Sequence, residues 1–257
     1  MVNHAIHARY EVTDTGAVNL LLDLLDGGHI DVLSFMDHTP GQGQYPTDES
    51  LQVYMQRNYE RTKSESQAMI AGKRARRETA GERMDRLAAK CVERGVTLAS
   101  HDDDSESQVR AMSKRGATIS EFPIDLGTAQ FAHESGFATM FGAPNVLRGR
   151  SQGNGMRALD AVEAGVISLL CSDYHPGTLL PAVFKIADTT SWSLPQAVRL
   201  VTDNAAQALG WTDRGSVDPG RRADLIVVDA AKGRCDVRAV WVGARPVWAR
   251  GDLASES

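Results

Sequence analysis

The chain has 257 residues, 42% hydrophobic and 24% charged, enough apolar material for a large core and too much for a disordered segment. A formal charge of −5 argues against a nucleic-acid binder that relies on overall basicity. No apolar run approaches the roughly 18 residues of a membrane span, since Ala164 to Cys171 is already broken by Gly165 and Ser168. Met1 to His4 has neither the basic start nor the apolar core of a secretory signal. Cys91, Cys171 and Cys235 are odd in number and widely spaced, which disfavours a disulfide framework. A cytoplasmic protein with reduced thiols is expected.

Ala5 to Glu11 reads as a strand, and Ala17 to Asp26 as a helix with Leu20, Leu21, Leu24 and Leu25 at helical spacing. Gly27-Gly28 stops it. Ile30 to Met36 is an apolar strand, followed by a turn-rich loop from Thr39 to Ser50 that holds Pro40, Gly41, Gly43 and Pro46. A charged helical stretch then ends in the apolar face Ala80, Met84, Leu87, Ala88 and Cys91, closed by Gly95.

The rhythm continues with strand Val96 to Ser100, helix Glu106 to Arg115, strand Thr118 to Phe122 and helix Leu126 to Ser135. Strand Ala138 to Phe141 leads into a glycine-rich basic loop from Asn145 to Gly155. Helix Met156 to Ala164, strand Val166 to Cys171, and helices Leu179 to Asp188 and Pro195 to Ala208 follow. Beyond Gly210 the runs Asp224 to Asp229 and Val237 to Val242, separated by Gly233, read as antiparallel strands.

Six strands alternating with helices imply parallel pairing with crossover helices, either a doubly wound sheet or a (β/α) barrel. No phosphate-binding glycine fingerprint follows the first strand, which counts against the nucleotide-binding version. The expected division is an α/β domain over 1–210 and a β-rich tail over 211–257.

In parallel α/β folds the site lies at the carboxyl ends of the strands. Those ends carry Glu11, Asp37-His38, His101-Asp102, Glu121, Asn145 and Asp173. Imidazole and carboxylate suit a zinc-like divalent ion, so the set points to metal-assisted hydrolysis. Plainer readings exist for each: Asp102 to Asp104 and Asp173 as helix caps, His38 and His101 as hydrogen-bonded core residues, Glu11 and Glu121 as partners of arginines. His4 and His7 fall on opposite faces of an extended segment and are not expected to share an ion. Lys73 to Arg77 reads as a solvated helix face partnered by Glu78, Glu82 and Asp85. The loop Asn145 to Gly155 offers Arg148, Arg150, glycine N–H groups and Ser151 to phosphate oxygens.

These residues are familiar together. Ser34 to Gln42, Ala99 to Asp103, Ala117 to Pro123, Gly142 to Asn145, Arg148-Gly149 and Ser172 to Tyr174 resemble the phosphonate-metabolism amidohydrolases of the carbon–phosphorus lyase pathway, the PhnM family. Gly220 to Val227 is similar to the sandwich segment of amidohydrolases in general. The resemblance implies a partial (β/α) TIM-type barrel, about six of eight strands, with a small C-terminal β-sandwich remnant.

It also implies hydrolysis of α-D-ribose 1-methylphosphonate 5-triphosphate to the 5-phosphate and diphosphate, with a divalent metal, zinc or alternatively manganese. His38 and His101 would be ligands, Asp173 ligand and proton acceptor, and Glu121 and Glu11 would complete or bridge the site. Asn145, Arg148, Gly149, Ser151 and Tyr174 would hold the substrate. The implied partner is this small phosphorylated molecule, not nucleic acid or membrane, with a second copy or another phosphonate-pathway protein as a further possibility.

Two departures accompany the resemblance. The family carries two earlier strands with a histidine motif on the first, whereas this sequence begins at the equivalent of the third. Its loop carries Gln152 where the family has histidine. The loop changes also fit an amidohydrolase acting on a C–N or ester bond, and the absent first-strand ligands also fit a non-catalytic remnant or binding subunit.

Overall fold

Apolar runs bounded by glycines become parallel strands, each delivering its last residue to a loop. In the computed structural model, which describes residues 2–43, 45, 47–151, 153, 155–230 and 235–250, these are β1 (His7–Glu11), β2 (Val32–Met36), β3 (Thr97–His101), β4 (Ile119–Glu121), β5 (Ala138–Gly142) and β6 (Leu169–Cys171). A separate antiparallel sheet holds β7 (Leu225–Asp229), β8 (Asp236–Val242) and β9 (Arg245–Ala249). Six β/α strands and a small β-rich tail are the architecture anticipated. The chain forms two compact units: Ala5–Thr139 with Gly153–Met156, and Met1–His4 with Met140–Gln152 and Arg157–Ser257.

In the first unit β1 to β4 pair in parallel and in chain order, with Arg9 level with Ser34, Ser100 with Ser120 and His101 with Glu121. Alternation along each strand divides the side chains. Tyr10, Leu33, Phe35 and Leu98 pack against the helices, in one core with Val18, Leu25, Leu87, Cys91, Val109 and Met112. His7, Arg9, Glu11, Ser34, His101 and Glu121 therefore line the opposite face. Parallel sheets normally bury apolar residues on both faces, so a polar face marks a surface kept for another purpose.

The helices of this unit are α1 (Ala17–Asp26), α2 (Asp48–Tyr59), α3 (Lys63–Arg77), α4 (Ala80–Arg94), α5 (Glu106–Lys114) and α6 (Leu126–Glu134). α1 has the anticipated bounds, although Leu20 is 60% exposed and Val18 and Leu25 make the buried contacts. The loop after β2 ends earlier than its turn residues suggest, because Thr47 accepts the Ser50 N–H and starts α2. Thr62 starts α3 in the same way, with Glu65 returning a bond to the Thr62 N–H at 2.8 Å. Tyr45, Leu51, Met55 and Ile70 give this helical pair a small core of its own. Pro46 lies outside the described residues. On the helix-facing side of β3 and β4, the buried Asp103 Oδ2 accepts from Ser100 Oγ and Ser120 Oγ, each at 2.5 Å.

In the second unit Met140 is level with Leu169 and Gly142 with Cys171. Residues 143–148, anticipated as the start of a loop, form α7 (Ala143–Arg148), with Pro144 in its first turn where a missing N–H costs nothing. α8 (Ala158–Glu163) and α9 (Leu179–Thr189) follow. The helix anticipated over 195–208 is two, α10 (Leu194–Arg199) and α11 (Asp203–Ala208). The Leu200 carbonyl accepts from Leu170 N–H on β6 at 2.9 Å, which diverts an acceptor that a continuous helix would use. Gly233 lies outside the described residues. None of the three cysteines is in a disulfide, and among the described residues no helix is long and apolar enough to cross a membrane.

Candidate metal centre

Two strand ends and the residue after one of them supply the group. His38 follows β2, His101 ends β3, and Asp102 is next in the chain. These three offer ligand atoms that all lie within 4.8 Å of one another. Asp102 Oδ2 is 3.1 Å from His101 Nδ1 and 3.9 Å from His38 Nε2. Around a tetrahedral ion with bonds of ~2.1 Å, ligand atoms stand about 3.4 Å apart, between those two values.

His101 Nδ1 and Asp102 Oδ2 are buried without a hydrogen-bond partner, because at 3.1 Å they are close but not aligned. Buried polar atoms seldom stay unsatisfied, and a divalent ion satisfies both at once. The donor set therefore fits such an ion. Burial disfavours charge on His101, yet Asp102 and then Glu121 outweigh it and raise its pKa.

Glu11 holds the His38 ring, and neither it nor Glu121 is in the group of three. Glu11, at the end of β1, accepts from His38 Nδ1 through Oε2 at 2.8 Å. Its Oε1 receives Thr13 Oγ1 at 2.9 Å and faces Lys73 Nζ at 3.2 Å. Burial opposes the Glu11 charge, but His38 and Lys73 bring its pKa down to about 2. Glu121 is 3% exposed at the end of β4; its Oε2 accepts from Ser34 Oγ at 3.0 Å and its Oε1 lies 3.8 Å from Arg9. His7 bonds Ser34 Oγ at 2.5 Å from the far side, and burial lowers its pKa.

Arg9 also donates to His101 Nε2. A guanidinium only donates, so the neutral ring then keeps its proton on Nδ1. An ion seated at Nδ1 requires the other tautomer, with Arg9 turned toward Glu121 or an incoming anion. The centre and a cationic side chain thus share one imidazole.

Arg9 and Lys73 escape sequence reasoning as site residues, whereas Asp102 stands in the strand-end set without being among the ligands the resemblance implies. The plainer reading of Asp102 as a helix cap does not hold, because Ser105 caps α5. Arg9 had a signal, for it sits two residues before Glu11 and so on the same strand face. The basic run on α3 is exposed at Arg74, Ala75, Arg76 and Arg77, as a solvated face requires, but Lys73 is half-buried and the partners are not those expected. Lys73 meets Glu11, Arg77 meets Asp37, Arg74 meets Asp48 at 2.5 Å, and Arg76 Nε donates to Thr13 O at 2.9 Å. Asp85 instead pairs with Arg115 at 2.8 Å.

The remaining anticipated residues belong to the second unit. Asp173 follows β6, exposed and with φ 49°. Arg148 donates to Tyr174 Oη and its guanidinium carbon lies 5.7 Å from that ring centre. Gly149 closes α7 at φ 70°, and Ser151 is half-buried. Asn145 Oδ1 accepts the Ala158 N–H at 3.0 Å and so anchors the start of α8. Gln152 lies outside the described residues.

Among solved structures the fold is similar to N-acetylglucosamine-6-phosphate deacetylase from Pasteurella multocida, with TM-score 0.59 and 11% identity over 96% of this chain and 67% of that one. In sequence the chain is 34% identical over 246 residues to alpha-D-ribose 1-methylphosphonate 5-triphosphate diphosphatase of Escherichia coli (strain K12), covering 93% of this chain and 64% of that protein. It is 36% identical over 81 residues to a probable imidazolonepropionase of Danio rerio, 30% of this chain and 19% of that one. The chain thus spans less than two thirds of these curated relatives. Residues 61–249 match the amidohydrolase family, and with most of its length matched the chain belongs to that family.

Proposed function

We propose that this chain is the larger part of a metal-dependent diphosphatase that hydrolyses α-D-ribose 1-methylphosphonate 5-triphosphate to the 5-phosphate and diphosphate. The 34% identity over 93% of the chain to the Escherichia coli diphosphatase carries this reading. His38, His101 and Asp102 hold a divalent cation, zinc or manganese. Bound there, such an ion acts as a Lewis acid on a phosphoryl oxygen and lowers the pKa of water.

Glu11 keeps the His38 proton on Nδ1 and leaves Nε2 to face the cation. Arg9, once released from His101, offers a guanidinium fork to phosphate oxygens where negative charge grows. Glu121 holds Arg9 in reach. The resemblance to the phosphonate-metabolism amidohydrolases gives Arg148, Tyr174, Gly149 and Ser151 the role of binding the polyphosphate and Asp173 that of proton acceptor.

The test is metal-dependent diphosphate release from the ribose triphosphate, followed by phosphorus NMR. It is run with the chain alone and with the N-terminal segment of the Escherichia coli relative supplied. Release in either arm supports the reading; no release by protein that binds zinc overturns it. The imidazolonepropionase match favours a second reading, hydrolysis of a C–N bond, and turnover of a cyclic amide with none of the triphosphate would select it.

A further inference from the structure

One face of α3 is turned toward the loops that end β1 and β2. Ser66, Ile70, Lys73 and Arg77 share that face by helical spacing. Ser66 and Ile70 are buried, Lys73 keeps 16% of its side-chain exposure, and Arg77 reaches Asp37, the neighbour of His38. Arg74, off the stripe, turns to Asp48 on α2.

We propose that Lys73 is a positioning residue of the metal centre, acting through Glu11 on His38. The inference rests on reading the His38 group as a metal site. Lys73 Nζ is 3.2 Å from Glu11 Oε1, and Glu11 Oε2 accepts from His38 Nδ1 at 2.8 Å. Each of the three side chains is three-quarters or more buried, so water replaces none of these contacts readily.

With a donor on each oxygen, the Glu11 carboxylate has a fixed plane. That plane sets the His38 tautomer, with the proton on Nδ1 and the lone pair on Nε2, the nitrogen facing Asp102 Oδ2. Without Lys73, Oε1 keeps only the Thr13 hydroxyl, and the buried carboxylate loses the cation that balances it. The carboxylate then turns, and the ring turns with it. A helix far along the chain from β1 thereby aims a ligand that follows β2. Outer-shell partners of this kind are worth about 10–100-fold in metal affinity.

The experiment titrates zinc into the full chain and its Lys73→Met, Lys73→Arg and Arg74→Met variants by calorimetry. In parallel, nitrogen-15 NMR of the metal-free protein reads the His38 tautomer. Lys73→Met is expected to weaken zinc binding about 10–100-fold and to remove the Nδ1–H signature of His38. Lys73→Arg recovers part of both, and Arg74→Met behaves as the parent.

Where Lys73→Met fails to fold, Lys73→Gln repeats the test with a polar chain of similar reach. The proposal is overturned if the folded neutral variant binds zinc as tightly as the parent, if its His38 tautomer is unchanged, or if the parent binds no zinc. Neither readout involves substrate, so absence of diphosphate release is a separate result.

Discussion

His101 Nδ1 and Asp102 Oδ2, from consecutive residues, lie 3.1 Å apart with neither in a hydrogen bond. Asp102 sits at φ 54°, a left-handed conformation that costs a non-glycine residue about 1–2 kcal/mol. That backbone brings its carboxylate back toward the imidazole instead of forward over α5. Asp102→Asn and His38→Ala are each expected to weaken zinc binding by at least the ~100-fold that loss of an outer-shell partner reaches. Calorimetric titration checks this, with circular dichroism confirming the fold; unchanged affinity in both variants removes the pair from the centre.

Glu11 links the site to acid stability. Its pKa is about 2 in the folded chain against an ordinary 4.5, so the unfolded chain takes up the proton first. The stabilisation is complete above pH 4.5 and is lost as pH falls through about 2. A difference of that size is on the order of 3 kcal/mol. Glu11→Gln is expected to lose stability of that order at neutral pH and to show a shallower acid limb in urea melts. Parallel acid limbs in the two proteins contradict this.

Phe122 occupies φ 58°, a left-handed conformation, while its ring meets His101 edge-on at 5.3 Å. Phe122→Gly relieves the backbone and Phe122→Ala does not, though both remove the ring. The glycine variant is expected to be more stable than the alanine variant by about 1 kcal/mol, the reverse of the usual order. Urea midpoints decide it.

Cys91 is fully buried on α4 and its thiol is pushed up to about 11 by burial. Cys171 and Cys235 are half-buried. A disulfide reagent is expected to leave Cys91 unmodified in the native protein and to reach it only in urea. Labelling of Cys91 at the rate of the other two thiols counts against the described packing.

The sequence disclosed whatever depends on near neighbours. The leucines of α1 and the glycines that stop it give that helix its bounds, and the apolar face of α4 closes at Gly95 with φ 66°. The break at Leu200 was hidden, because a hydrogen bond from β6 makes it. The three aspartates from 102 to 104 show the same limit. Read locally they are one capping run, yet Asp102 meets His101 and His38, Asp103 meets Ser100 and Ser120, and Asp104 accepts the Gly43 N–H at 2.8 Å. Partners drawn from β3, β4 and the loop after β2 cannot be told apart within one short window. The strand-end histidines were legible because period and chemistry agree there. Lys73 was not, since its partner lies on β1.

Asp103 also bears on how the chain is assembled. It takes both hydroxyls of a level pair, Ser100 and Ser120, so β3 and β4 are satisfied in a single alignment. Slipping β4 by one residue turns Ser120 away, strips a buried carboxylate of a donor, and sends Glu121 to the side meant for the helices. A nascent strand that docks out of step is therefore rejected before any ion or substrate arrives. Folding proofreads the placement that the chemistry later uses.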